Sequence, residues 1–347
     1  MPMQKLRFGL IGAGAIANSY VQAFNGFTLG DIAAVADIRR EAAQALAETL
    51  RCRSYESYQA MAAENHLDAV IVCTPPATHA EICVYFAERK IHVLCEKPFT
   101  IDTKSAKTML RAAKASGVIM AMASKFRYAD DVVRAKSIVT SGILGEIVLF
   151  ENAFTSRVDM SERWNSKPAQ SGGGVLIDNG THSLDIARYF LGPLAEVQVI
   201  EGKRSQGLGV DETVHVFVHS ASGVIASIDL SWSINKELDS YINIYGSQGT
   251  VSVGWKESRY RQSGGRDWVV FGHGYNKVDA FRSQISNFAK AIPGIERMLI
   301  TPEDALASVE AVEAAYASIT RNHWTAVNRV ADSAAMETAA LVAGEPA

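Results

Sequence analysis

The chain has 347 residues, 48% of them apolar and 20% charged, with a net charge of −3. That length allows two domains with a sizeable core, and that charge gives no electrostatic reason for nucleic acid or an anionic membrane as a partner. Cys52, Cys73, Cys83 and Cys95 show no Cys-x-x-Cys spacing, so they read as reduced thiols, without a zinc ribbon or disulfide framework; with no apolar leader, bilayer-length stretch or cluster of metal ligands, the expectation is a cytoplasmic, metal-free protein.

Leu6–Ile11 is a β-branched and aromatic run that predicts a buried strand. It runs into Gly12-Ala13-Gly14-Ala15-Ile16-Ala17 and a helical pattern through Phe24. In this Gly-x-Gly-x-x-Ala order Gly12 allows the tight turn, Gly14 admits a pyrophosphate against the backbone, and the small Ala17 lets the helix pack on the strand. The N–H groups of Ala15 and Ile16 then open a helix whose positive dipole end suits phosphate. A second strand, Ile32–Ala36, ends in Asp37, which can accept hydrogen bonds from the adenosine ribose hydroxyls and repels the extra phosphate of NADP. Arg39 and Arg40 follow at once and partly offset that repulsion, so NAD is the expected cofactor and NADP a possible one.

The alternation continues with a helix over 39–50, a buried strand over 69–73, and Thr74-Pro75-Pro76, a loop that cannot continue the sheet and can lie against the cofactor. A helix over 78–89 carries His79 in its first turn, read as an exposed helix-start residue and a weak cofactor candidate. The strand Ile91–Leu94 leads to Cys95-Glu96-Lys97-Pro98. The proline ends the strand and holds Glu96 and Lys97 at its carboxyl end, the edge where an open parallel sheet binds ligands. Asp102 caps a helix over 103–116, and 118–123 is one more strand. Strands alternating with helices at this spacing predict a doubly wound parallel sheet over residues 1–124.

Residues 125–330 read differently. A helix over 128–140 and a strand over 146–154 precede long alternating strands, including 213–219 and 226–232, and a hairpin around Gly246-Ser247-Gln248-Gly249. This predicts a mostly antiparallel sheet with one face packed on helices and one open, the open face carrying His215 and Phe217 and offering an oligomer contact. Thr301-Pro302-Glu303-Asp304 starts a last helix, to about Arg321. The stretch 331–347 is expected to be a frayed tail.

Between the two sheets lies Ser171-Gly172-Gly173-Gly174, then Asp178-Asn179-Gly180-Thr181-His182. On a helix Asp178 and His182 share a face, and a carboxylate beside an imidazole can orient it and favour its charged form. Histidine trades protons near neutral pH. Taken alone, the spacing fits a surface pair or two metal ligands equally.

With these motifs the sequence resembles the Gfo/Idh/MocA family of NAD(P)-dependent oxidoreductases, from Leu6 to about Val327: Gly-Leu-Ile-Gly-Ala-Gly-Ala-Ile-Ala at Gly9–Ala17, Thr-Pro-Pro at Thr74–Pro76, Glu-Lys-Pro at Glu96–Pro98, and Gly-Gly-Gly-x-x-x-Asp-x-Gly-x-His-x-x-Asp at Gly172–Asp185. The resemblance implies a Rossmann domain followed by an α/β domain with a large open sheet, through which members form dimers or tetramers. It implies hydride transfer between nicotinamide and a hydroxyl-bearing carbon of a sugar, polyol or sugar derivative, with Lys97, Asp178 and His182 as the catalytic trio and a cis Lys97–Pro98 bond. Arg127, Arg157, Trp164, Asn179 and Tyr241, with Lys97 and His182, are the expected substrate contacts. Lys125-Phe126-Arg127-Tyr128 follows the family pattern only loosely. Two rival readings are a glycosidase that oxidises its sugar transiently with tightly held NAD, and a nucleotide-sensing regulator without catalysis; the intact trio speaks against the second.

Overall fold

The computed structural model describes residues 4–327; the stretch expected to fray, 331–347, lies outside them. In the first half, strands β1 (Leu6–Ile11), β2 (Gly30–Ala36), β3 (Arg53–Tyr55), β4 (Ala69–Val72), β5 (His92–Glu96) and β6 (Met120–Ala123) alternate with helices α1 (Ala15–Phe24), α2 (Arg40–Leu50), α3 (Tyr58–Glu64), α4 (His79–Glu88) and α5 (Thr103–Ser116). The strands form one parallel sheet in the order β3-β2-β1-β4-β5-β6. The chain therefore reverses direction across the sheet between β1 and β4, and a crevice opens at their carboxyl ends. Both faces are covered, as successive strand residues require. Val70 and Val72 pack toward α3, α4 and α5, whereas Ala69 and Ile71 pack toward α1 and α2.

Local chemistry sets several boundaries. The Asp102 carboxylate accepts from Ser105 N at 2.7 Å and starts α5, and Gly117 ends it in the left-handed region at φ 68°. Strand β5 runs two residues past the expected Leu94, because Cys95 and Glu96 still pair with Met122 and Ala123 of β6. The lysine thus follows directly on the sheet edge, and the Lys97–Pro98 bond is cis.

The second half contains α6 (Asp130–Thr140), β7 (Ile147–Thr155), the single turn α7 (Pro168–Ser171), α8 (Val175–Leu191), β8 (Leu194–Glu201), β9 (Thr213–Ser220), β10 (Ile225–Ser231), β11 (Ser240–Gly246), β12 (Gly249–Gly254), β13 (Ser258–Gln262), β14 (Val269–Gly272), α9 (Lys277–Ala291), α10 (Pro302–Arg321) and β15 (Thr325–Ala326). The helix expected from Tyr128 begins at Asp130, since Lys125–Tyr128 forms a tighter 3₁₀ turn and Ala129 is extended. The nine strands run β14-β13-β12-β11-β7-β10-β9-β8-β15, antiparallel except for the β7–β10 pair. Ala226, Ile228, Leu230 and Trp232 face the core shared with Leu176, Leu184 and Val312. On the opposite face Phe217 is exposed, and His215 is held by Asp229 at 2.5 Å and Ser227 at 3.1 Å.

Helix α9 was not expected. Its Phe281, Ile285 and Phe288 recur at helical spacing and pack in the core of the first sheet, beside α1, where the Phe281 ring meets Tyr20 edge-on at 4.7 Å. The chain thus returns from the large sheet to cover the first one.

Candidate active site

The glycine turn is built as a ligand cradle. Gly12 has φ 92°, and a Cβ there would stand 2.8 Å from the carbonyl carbon of Cys73, so the turn closes against the end of β4 and the Thr74 loop. Gly14 is the N-cap of α1 with no side-chain cap, and a Cβ on it would meet no protein atom within 4 Å. The first-turn N–H groups of α1, at Ala15 and Ile16, therefore border open space, which fits a pyrophosphate. Asp37 accepts from Ala13 N at 2.7 Å and Arg39 N at 2.8 Å, and Arg39 folds its guanidinium back onto the same carboxylate at 3.1 Å. Burial alone would raise this carboxyl, but Arg39 and the two N–H groups outweigh it and hold it below its ordinary value. Beside it Ile38 is 90% exposed, an apolar surface at the adenosine end that sequence reasoning passed over; an aliphatic residue directly after the strand-end acid was the available signal. The site fits NAD, which Gly14, Ala15, Ile16 and Asp37 would hold.

His79 is not the exposed residue expected. It is fully buried, with Nδ1 3.1 Å from Pro98 O and Nε2 2.8 Å from Thr74 O. It ties the loop after β4 to the turn after β5, so it supports Thr74, Pro75 and Lys97 from below. Glu96 is buried as well. Tyr20 donates to it at 2.7 Å, Gln284 of α9 donates to Tyr20 at 3.2 Å, and burial raises the Glu96 carboxyl despite Lys125, Tyr20 and Lys97.

Across the crevice, α8 carries Asp178 and His182. The helix starts at Val175 with a cap that comes from elsewhere: Asp211 accepts from Gly174 N at 3.0 Å and Leu176 N at 2.7 Å, with Tyr316 donating to the same carboxylate at 2.9 Å. Gly174 has no room for a side chain, since a Cβ would stand 2.0 Å from Asp211 O. Asp178 thus lies in the first turn, and Lys97 Nζ reaches its Oδ1 at 2.5 Å and its carbonyl oxygen at 3.2 Å. The expected Asp178–imidazole pairing is corrected here: the carboxylate is taken up by Lys97, and His182 Nε2 instead lies 3.2 Å from Lys125 Nζ. His182 is buried with Phe126 edge-on at 4.9 Å, and its Nδ1 has no hydrogen-bond partner among the described residues. Burial, then Lys125 and Lys97, push the imidazole well below its ordinary value, so it is held neutral rather than charged.

Lys97, Lys125, Asp178, Asn179 and His182 line one cavity of about 560 Å³ together with Thr155, Asn235, Glu237 and Trp255. A larger groove, about 1090 Å³, runs between α5 and α10 but contains none of these groups; chemistry, not size, marks the site. Of the expected substrate contacts, Lys97, Asn179 and His182 line the cavity. Arg127 does not: it is 3% exposed and spent on Asp185 at 2.6 Å and Asp304 at 3.2 Å, joining α8 to α10. Tyr241 is also corrected, being 1% exposed and packed behind Trp255 at 4.4 Å. Arg157 and Trp164 lie on exposed turns after β7, outside the cavity walls. The sequence reading missed Lys125, Trp255 and Asn235, which only the meeting of β6, β12 and the loop after β10 brings together.

A parallel sheet with a glycine turn at its reversal point, an acid at the end of β2, and a lysine, a carboxylate and a neutral imidazole around one cavity define an NAD-binding oxidoreductase. The chain belongs to the Gfo/Idh/MocA family. The model described as the oxidoreductase family with an NAD-binding Rossmann fold matches residues 6–124, and the family's C-terminal domain matches residues 132–252. The chain is 27% identical to the inositol 2-dehydrogenase of Rhizobium meliloti (strain 1021) over 90% of this chain and 97% of that one. It is 34% identical to the D-glucoside 3-dehydrogenase of Escherichia coli (strain K12) over 62% of each. A levoglucosan dehydrogenase solved with NADH and levoglucosan superposes with a TM-score of 0.86 at 22% identity, covering 94% of this chain and 100% of that one, a likeness of fold. Among the described residues no helix is long and apolar enough to cross a membrane.

Proposed function

We propose that the protein interconverts a secondary alcohol and a ketone on a sugar or polyol, using NAD(H). One observation carries this reading: the Lys97–Asp178 pair and a neutral His182 converge on a single cavity at the carboxyl edge of the NAD-binding sheet. NAD, when bound, takes a hydride from the alcohol carbon or returns it. Lys97 holds the substrate oxygen and stabilises the alkoxide that develops on it, its Nζ aimed by the contact with Asp178. His182, neutral beforehand, accepts the hydroxyl proton in oxidation and returns it in reduction. Asn179 and Asn235 offer amide groups to further hydroxyls, and Trp255 offers a ring face to the apolar side of a sugar. The names of the inositol and glucoside dehydrogenases support this substrate class.

The exposed side chains of the nine-stranded sheet, Phe217 and Ile200 among them, support a homodimer or homotetramer formed through that face, and the four free cysteines support a reducing, cytoplasmic setting. The test is a panel of sugars, inositols and sugar nucleotides followed by NADH absorbance with both cofactors. Turnover on at least one hydroxyl donor, abolished by Lys97→Met, is the expected result; no reduction of either dinucleotide across the panel, by a protein that binds NADH, would count against it.

A further inference from the structure

Two lysines line the cavity, and they are not equivalent. Lys97 has Asp178 as its counter-ion. Lys125 has no carboxylate within salt-bridge distance among the described residues; its ammonium meets His182 Nε2 at 3.2 Å and stands over the rings of Phe126 and Phe281 at 5.0 and 5.8 Å. It is therefore bonded to the imidazole nitrogen that the reaction requires, since the other nitrogen, Nδ1, is sealed in the protein without a partner.

Resting on the reading of the site above, we propose that Lys125 is a positioning residue for proton transfer: it holds His182 neutral and aimed, and it must release its own proton before the imidazole can take one from the substrate. While Lys125 is an ammonium, its N–H occupies the Nε2 lone pair, and a second positive charge on the ring would stand 3.2 Å from it. Once Lys125 is an amine, Nε2 is available. In oxidation the carbon–hydrogen electron pair leaves as hydride to the bound dinucleotide, the hydroxyl proton goes to Nε2 as the carbonyl forms, and that proton passes from Nε2 to the Nζ lone pair and out through the cavity. In reduction the order reverses, with the ammonium resupplying Nε2.

The surroundings support this. The groups that face Lys125 are His182 and Asp178 on α8, Lys97 and Glu96 at the end of β5, and Lys277 at the start of α9, with Glu237 on the cavity wall and Tyr275 stacked on Phe126. Burial first, then Lys97 and Lys277, outweigh Glu96 and Asp178 and bring Lys125 down to about 8. A lysine at that value changes its charge near working pH, where an ordinary one does not.

The test uses protein labelled with ¹⁵N at histidine, without substrate or dinucleotide, and follows the imidazole resonances against pH in the wild type, Lys125→Met and Lys125→Arg, with His182→Asn to assign the signal. In the wild type the His182 ring stays neutral and its shifts show one step near pH 8 as Lys125 deprotonates. Lys125→Met removes the step and lifts the ring's own titration toward about 6.5. Lys125→Arg removes the step while keeping the ring depressed, because guanidinium stays charged; this variant suffices if the methionine one does not fold. A step that persists in either variant, or a wild-type ring with none, overturns the proposal. So does an oxidation pH profile on a panel substrate that Lys125→Met leaves unmoved while KM alone rises, which would make Lys125 a substrate-binding cation. Because the titration needs no substrate, failure of the sugar or polyol reading leaves its outcome intact.

Discussion

Lys97 Nζ and Asp178 Oδ1 stand 2.5 Å apart, with only 13% and 21% of their side chains exposed. One belongs to the edge of the parallel sheet and the other to the helix beneath the large sheet, so this ion pair joins the two sides of the cavity. A buried pair of this kind is weak evidence of stability, since desolvation offsets much of the attraction. It is better understood as geometry: the carboxylate keeps the lysine pointed into the cavity.

Replacing Lys97 by Met should therefore lower turnover about a hundredfold or more, the usual cost of losing a donor to a developing oxyanion, while NADH affinity changes far less. Fluorescence titration with NADH alongside steady-state rates checks this. Loss of cofactor binding in parallel with activity would mean that Lys97 serves the dinucleotide.

The two glycines of the turn should separate cleanly. At Gly14 an added methyl meets no protein atom within 4 Å and the backbone is extended, so Gly14→Ala should leave the thermal midpoint unchanged and weaken NADH binding at least tenfold (about 1.4 kcal/mol). At Gly12 the φ of 92° and the Cys73 backbone 2.8 Å away make Gly12→Ala destabilising as well. Calorimetry and NADH titration of both variants test the contrast.

Asp37 should set cofactor choice. Its carboxylate, held charged, should favour the ribose diol over a 2′-phosphate, so kcat/KM for NAD should exceed that for NADP, by a modest margin because Arg39 lies on the same carboxylate. Asp37→Ala should narrow the ratio by freeing Arg39 for the phosphate. A wild type that uses both dinucleotides equally would remove Asp37 from this role.

His182 also links stability to pH. Its folded value is depressed, so the unfolded chain takes up a proton on this residue at about pH 6.5 while the folded protein does so only at lower pH. Its contribution is complete above about 6.5 and is lost as pH falls from there through the folded value. Urea midpoints on both sides of about pH 6.5 should fall more steeply on the acid side in the wild type than in His182→Asn. Equal slopes would mean that the folded protein protonates His182 as readily as the unfolded chain does.

Much of this protein was legible in the chain itself. The glycine turn, Asp37, the Lys97–Pro98 stop and the Asp102 cap are local features, because turn conformation, helix capping and strand termination depend on a few neighbouring residues. Their order along the chain was enough to predict the doubly wound sheet and the carboxyl edge where Lys97 stands. What lay beyond local reach was decided by contacts across the fold. Asp211 starts α8 from more than thirty positions away, α9 comes back to the first sheet, and Arg127, which reads as a ligand contact, is consumed by Asp185 and Asp304. The pairing inside the site belongs to the same class. Sequence spacing set Asp178 and His182 on one helix face, but only tertiary packing brought Lys97 to the carboxylate and Lys125 to the imidazole. An ionic contact is settled by which charge arrives within a few ångströms in a place poor in water, and spacing along one helix does not contain that distance.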